Sequence, residues 1–405
     1  MKRTLLAAAL MATFVPGPAL AASVDPVLEP PVADTNGPTL SQVAMLTRAW
    51  STKAGELSGD PLYFAGAIYH AETGDGRVGL VRRAVTGGAH LQFASTVRGY
   101  TIAAPVTDGD SVLTITPDDG VVRAYSPDGA DRWTARLGGD QRADWVLATG
   151  GLILAAAEFE CGRYEGDTCE RTVLHAFRAD SGRRVWTREL AGGSPVAVAA
   201  GDRIAIRTWQ DRDELHGDDI IPPGQEPEPI VDDSPALVTV LTAGNRRLWQ
   251  RPVAGVVSIA ADADGVFVAG DRLCAYRAKD GRRSWCAPTS HRHYDLTAAD
   301  GRLYAAADDL SVPDDHRIAA FDNRTGRRLW TAAGARPYGG ITVGNGVVWL
   351  VSNTDMPVSR LLALRAEDGR ELRRLPLGEY GGSRVALGVN RAFVFHDGRT
   401  ISAYR

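Results

Sequence analysis

Several stretches of this sequence hold residue types that could do chemistry. His291-Arg292-His293-Tyr294 sets two imidazoles at a spacing that can grip a metal ion, but a third ligand is needed and none is near in sequence. Asp262-Ala263-Asp264-Gly265 has the carboxylate density of a calcium loop. It also has the chemistry of a tight hairpin, where Asp, Asn and Gly tolerate positive φ, and that reading explains it without a metal. Carboxylates crowd three further segments. Glu158, Glu160, Glu165, Asp167 and Glu170 form one, Asp211, Asp213, Glu214, Asp218 and Asp219 begin the second, and Asp308, Asp309, Asp314 and Asp315 form the third. Solvated loops are the plain reading; the sharper one is a negative rim that draws in a basic partner or a divalent cation. Surface carboxylates have no acid and base roles without burial. No Gly-x-Ser-x-Gly elbow and no His-Glu-x-x-His helix is present. No catalytic residue and no metal site is assigned.

The four cysteines are Cys161, Cys169, Cys274 and Cys286. In an exported chain they read as two disulfides, and of the three pairings locality favours Cys161–Cys169 and Cys274–Cys286. Export is expected because Met1-Lys2-Arg3-Thr4 is basic, Leu5 to Val15 is apolar, and Ala19-Leu20-Ala21 offers a small-residue cleavage site. Residues 1–21 are therefore expected to be a secretory signal peptide and 22–40 a Pro-rich linker. The rest, 41–405, is expected to be one domain, secreted as a monomer, or periplasmic where the source has an outer membrane. The formal charge is −4, and −6 once Lys2 and Arg3 are removed, so nothing pulls the chain toward nucleic acid or an anionic membrane. No later run is long and apolar enough to span a bilayer.

The element that must carry these residues is a phrase repeated with errors. Its cleanest copy is Ala320-Phe321-Asp322-Asn323-Arg324-Thr325-Gly326-Arg327-Arg328-Leu329-Trp330, and looser copies end at Trp133, Trp186, Trp249 and Trp285. Each reads as an apolar strand, a Gly-centred turn and a strand bearing tryptophan. Repetition every roughly 40–50 residues signals a propeller or solenoid. Short Val/Ile/Leu/Ala runs between Gly/Asp/Asn turns make it all-β. Blade ends fall at Leu91, Trp133, Trp186, Trp249, Trp285, Trp330 and Arg373, which counts seven. The chain stops on a third strand, Thr400 to Arg405, and the missing fourth resembles Leu46-Thr47-Arg48-Ala49-Trp50. Eight four-stranded blades are therefore predicted, closed by the N-terminal strand, with seven as the fallback. Such closure removes the last free sheet edge.

The phrase at 320–330 is similar to the tryptophan-docking repeat of pyrroloquinoline-quinone-type (PQQ-like) propellers, with partial matches at 176–186, 275–285 and 363–373. The resemblance implies that Trp50, Trp133, Trp186, Trp249, Trp285 and Trp330 pack on neighbouring-blade backbone. One branch of that family resembles alcohol and sugar dehydrogenases, which hold a quinone on calcium or a lanthanide beneath a disulfide of adjacent cysteines. This sequence has no adjacent cysteine pair. The other branch resembles the BamB-type scaffold, whose lipid-attachment cysteine is absent here. The expectation is a non-catalytic binding or scaffold module needing no cofactor, with a protein or cell-envelope partner. A PQQ- and calcium-dependent dehydrogenase is the alternative.

In an up-and-down blade, turns one-to-two and three-to-four share a face. The tight turns fall on that face, and the long, acidic connections fall on the other. Loops of variable length on a rigid scaffold are where binding concentrates, so the second face is the predicted working face.

Overall fold

The computed structural model describes residues 37–74, 77–97, 102–117, 119–138, 142–161, 169–209, 235–256, 258–270, 272–287, 292–308, 316–335, 337–352, 358–379 and 384–405. These form thirty-two strands in eight four-stranded antiparallel sheets. Blades 1 to 7 run in chain order through 56–97, 106–136, 142–191, 193–254, 258–287, 292–333 and 337–379. Blade 8 takes its three inner strands from 386–404, and its outermost strand is the N-terminal Arg48–Lys53. Trp50 lies opposite Ala403, and Thr47 and Arg405 exchange two backbone hydrogen bonds of 3.0 Å. The predicted closure is thus present and the seven-blade fallback falls away.

First strands of neighbouring blades pack on one another around the axis. The hairpin turns follow the residue chemistry read from the sequence. Asn245, Asp300, Asn345 and Asn390 all take positive φ, at 68°, 50°, 51° and 52°. Asp262 is spent on its own turn, its Oδ1 accepting the backbone N–H of Asp264 at 2.9 Å and of Gly265 at 2.7 Å.

Six indoles fasten blade to blade. Trp50, Trp133, Trp186, Trp249, Trp285 and Trp330 donate to the carbonyls of Val85, Ala179, Ala243, Ala278, Asn323 and Ala366, over 2.8–3.0 Å. In five of these seams, all but that of Trp186, the turn glycine of the next blade sits against the ring. At Gly369, with φ 73°, an added Cβ would stand 2.4 Å from Trp330. Glycine is required there twice over, by dihedral and by contact.

Blade 7 has Arg373 where six of the blades have tryptophan, and its Nη2 donates 3.1 Å to the Leu46 carbonyl. The physical reason is local. In blade 8 the turn that would offer the carbonyl is split between the two chain ends, and a longer donor reaches across the junction. Blade 1 corrects the sequence reading. His90 pairs with Arg83 and Gln92 with Arg82 across a bulge, so Gln92 and not Leu91 occupies the tryptophan register.

A five-residue helix, Leu40–Ala44, is the other departure, since the sequence offered no helical period there. Gln42 Oε1 accepts the Thr39 N–H at 2.8 Å, and Val43 and Leu46 are buried with Trp349 and Val351. The Asn345 amide holds the Gly37 carbonyl, so the end of the expected linker is seated on blade 7. The Cys274–Cys286 disulfide is present and staples directly opposed residues of the third and fourth strands of blade 5. Cys161 and Cys169 stand opposite one another in strand register in blade 3.

Candidate functional site

The first strands bulge as they leave the loop face. Register shifts interrupt them at Ser58/Leu62 in blade 1, His293/Asp295 in blade 6 and Tyr338/Thr342 in blade 7. A bulge re-aims a side chain that would otherwise alternate into the blade stack. Three charged groups meet there. Arg384, just before the first strand of blade 8, gives its backbone N–H to Asp60 Oδ1 at 2.8 Å, and its Nε donates to the Gly339 carbonyl at 3.4 Å. Gly340, at φ 107°, leaves room for it: an added Cβ would lie 2.6 Å from the guanidinium.

Asp60 and Asp295 belong to different blades yet face the same arginine. Burial pushes both carboxyls above the usual carboxylate range; Arg384 pulls each back, and the Asp60 charge adds to the rise at Asp295. One guanidinium thus serves two carboxylates. Asp295 Oδ2 is buried and without a hydrogen-bond partner among the described residues. A buried acceptor left unpaired costs about 1–3 kcal/mol, which a ligand able to donate would recover.

Two other polar groups look chemical and are not. His396 Nδ1 meets Asp397 Oδ2 at 3.0 Å and its Nε2 meets Ser402 Oγ at 2.8 Å, the order of a Ser-His-Asp triad. Ser402 is fully buried and donates onward to Ser51 Oγ at 3.0 Å. No substrate reaches that hydroxyl, and the chain of bonds ties the closing strand to blade 8. In blade 1, Arg83 Nε donates 2.9 Å to His70 Nε2 and its Nη2 lies 3.1 Å from Glu72 Oε2. Burial first, then the Arg83 charge, lower the His70 pKa to about 3, so this imidazole is a neutral acceptor.

The residues singled out in the sequence divide as follows. Glu165, Asp167, Asp211, Asp213, Asp218, Asp219, His291 and Asp309 lie outside the described residues. Glu160 falls within the strand Leu152–Cys161, His293 within Arg292–Ala299 and Asp308 within Arg302–Asp308, so these are strand ends rather than loop residues. The strand ends flanking 162–168, 210–234, 309–315 and 353–357 are all second-to-third connections and share one face. The axial group Asp60, Asp295 and Arg384 was missed. Its members are far apart in the chain and follow no repeat, so no local signal joins them.

The fold and its closing strand define an eight-bladed propeller whose buried apolar residues gather in separate clusters between the blades. The family model described as "Outer membrane protein assembly factor BamB" matches residues 234–392. Over that stretch the chain resembles the PQQ-like β-propeller family, and the eight-bladed fold is consistent with the resemblance. No curated protein sequence matches the chain. Among solved structures it is similar to the computationally designed Ika8 protein at 10% identity, covering 88% of this chain and 99% of that one, with a TM-score of 0.64. It is similar to BamB from Moraxella catarrhalis at 15% identity over 89% and 97%, TM-score 0.56. The quinohemoprotein alcohol dehydrogenase of Comamonas testosteroni aligns at 12% identity over 92% and 79%, TM-score 0.63. At these identities the likeness is one of fold.

The quinone that the resemblance implies finds a poor fit among the cysteines. The described bridge joins residues twelve apart in the outer half of blade 5, not neighbours in sequence. No group of three His, Cys, Asp or Glu side chains that could hold a metal assembles among the described residues.

Proposed function

We propose that this protein is an exported binding or scaffold module that engages a basic protein or cell-envelope partner through its loop face. The observation that supports it is the axial group. Two carboxylates share one arginine, one carboxylate oxygen is unpaired, and the first strands that present them run from the face where the long acidic connections emerge. An arginine or lysine of a partner would complete that group with a charge-assisted hydrogen bond. The reading gives the turn-face carboxylates no part, since Asp180, Asp262, Asp280, Asp322 and Asp368 already bond within their own turns. No helix among the described residues is long and apolar enough to cross a membrane.

The test is retention from a native envelope extract on immobilised protein, at stepped ionic strength, with Asp60→Asn/Asp295→Asn in parallel. A partner held by the wild type, eluted by salt and not held by the variant is the expected result. Retention indifferent to both would refute the reading. A rise in Tm with pyrroloquinoline quinone and Ca²⁺, with dye-linked alcohol oxidation, would replace it with the dehydrogenase.

A further inference from the structure

The outer edge of the turn face carries a row of cations that the net negative charge of the chain conceals. Each third-to-fourth hairpin joins the two outermost strands of its blade, so these hairpins stand around the rim of the disc. In blades 3 to 7 the turn residues Gly182, Asn245, Gly281, Gly326 and Gly369 take positive φ, at 65°, 68°, 67°, 71° and 73°. One backbone geometry therefore presents the residue that follows, and in all five blades it is an exposed arginine: Arg183, Arg246, Arg282, Arg327 and Arg370. Blades 1 and 2 have Ala89 and Ala130 there. None of the five guanidinium groups makes a hydrogen bond or an ion pair among the described residues.

In blades 3 to 6 these cations are also in excess. In blade 3 Asp180 is taken by Arg178, which leaves Arg183 and Arg184. The blade 4 hairpin has Arg246 and Arg247 and no carboxylate. Blade 5 sets Arg282 and Arg283 beside an Arg277–Asp280 pair. Blade 6 sets Arg327 and Arg328 against Asp322, whose Oδ1 already accepts the Thr325 N–H at 2.8 Å. Blade 7 ends the arc, because its hairpin holds Glu367, Asp368 and Glu371 with Arg370. Nearer the axis the sign reverses. The first-to-second turns of blades 4, 5 and 6 expose Asp202, Asp264 and Asp300, the first of them offset in part by Arg203 at 3.9 Å. A flat anionic surface would meet both rings at once, whereas a thin anionic chain laid along the rim meets the outer one.

We infer that the rim of blades 3 to 6 is a binding track for a flexible acidic polysaccharide. Guanidinium forks suit the paired oxygens of carboxylate or sulfate groups, and their recurrence from blade to blade suits a repeating charge. Nucleic acid fits the rim less well. A duplex, stiff over about 50 nm, cannot follow so tight a curve. Single strands rely on stacking platforms, and the rings at hand, Trp133, Trp249 and Trp285, lie against the turn residues Gly182, Gly281 and Gly326.

Titration calorimetry of the full chain with alginate oligomers of graded length tests it. Affinity is expected to rise with length until one oligomer spans the hairpins of blades 3 to 6, and to fall as salt is added. Arg183→Gln/Arg246→Gln/Arg282→Gln/Arg327→Gln should weaken binding of the long oligomer about tenfold or more, with Tm unchanged because the side chains are exposed and unbonded. Arg370→Gln, at the same repeat position beyond the arc, should bind as the wild type does. So should Asp60→Asn/Asp295→Asn, which separates this track from the loop-face reading. Dextran sulfate oligomers of equal charge, run in parallel, identify the preferred anionic group. The inference is overturned by an unaffected quadruple variant, by an equal loss in Arg370→Gln, or by affinity independent of length. Tighter binding of anionic phospholipid vesicles or of single-stranded DNA of equal charge overturns it too, as does no binding of either glycan up to about 10 mM in anionic units.

Discussion

Around the axis, toward the loop face, two carboxylates share one guanidinium. Around the rim of the turn face, four arginines have no ion-paired carboxylate. Both regions belong to the same blades, so the contrast lies in how each charge is placed. Where the repeat is obeyed inside the hairpins, polar groups are consumed: indoles in carbonyls, aspartates in turns, Arg178, Arg277 and Arg365 in neighbouring aspartates. At the axis charge is left over where a bulge breaks a first strand; at the rim it is left over because the repeat itself sets an arginine after the turn residue. Unspent charge marks both candidate sites.

The largest expected effect tests the obeyed repeat. Trp330, buried in its seam, should cost about 3–5 kcal/mol when replaced by alanine, measured by denaturant unfolding. Trp285, half-buried like Trp50, Trp133, Trp186 and Trp249, should cost less. Equal losses would mean that the burial of the docking indole does not set the strength of its seam.

Next come two titrations of opposite sign. The His70 pKa is lowered to about 3, so its stabilisation is complete above 6.5 and is withdrawn as pH falls toward 3. By pH 4 this group alone should remove on the order of 3 kcal/mol. His175, lowered to about 4 by burial and Arg184, adds to the same acid limb. His70→Gln should flatten that limb in urea unfolding followed across pH; an unchanged slope would show that the imidazole does not remain neutral. Asp295 runs the other way. Its raised pKa gives stability that is complete below 3.8 and lost as pH rises through the folded value. Asp295→Asn should therefore raise Tm at neutral pH and leave it unchanged in acid, by a smaller amount than the histidine effect. A lower Tm at neutral pH would mean that Arg384 fully satisfies this carboxylate and that the axial group has nothing left to offer a ligand.

Much of the architecture was readable because it is periodic. Trp50 announced the closing strand, the Asn and Asp turns announced their own φ, and the spacing of Cys274 and Cys286 around a Gly-centred turn announced a cross-strand pair. Gln92 was not readable, because a bulge moves the register by one residue and only the backbone pairing reveals it. The helix Leu40–Ala44 escaped for want of length, one turn being too short to show a period. The rim left a trace that a column-by-column comparison of the repeats recovers: an arginine after the turn residue in every blade from 3 to 7.

By itself, then, the sequence determined the blade count, the closure and the seams, since each repeat unit is a local hairpin whose residues specify its own turn and docking ring. Only the tertiary structure decided which charges meet. Asp60, Asp295 and Arg384 come together because a closed ring brings the first strands of blades 1, 6 and 8 to one axis. Ring closure is a property of the whole disc, and no local spacing records it.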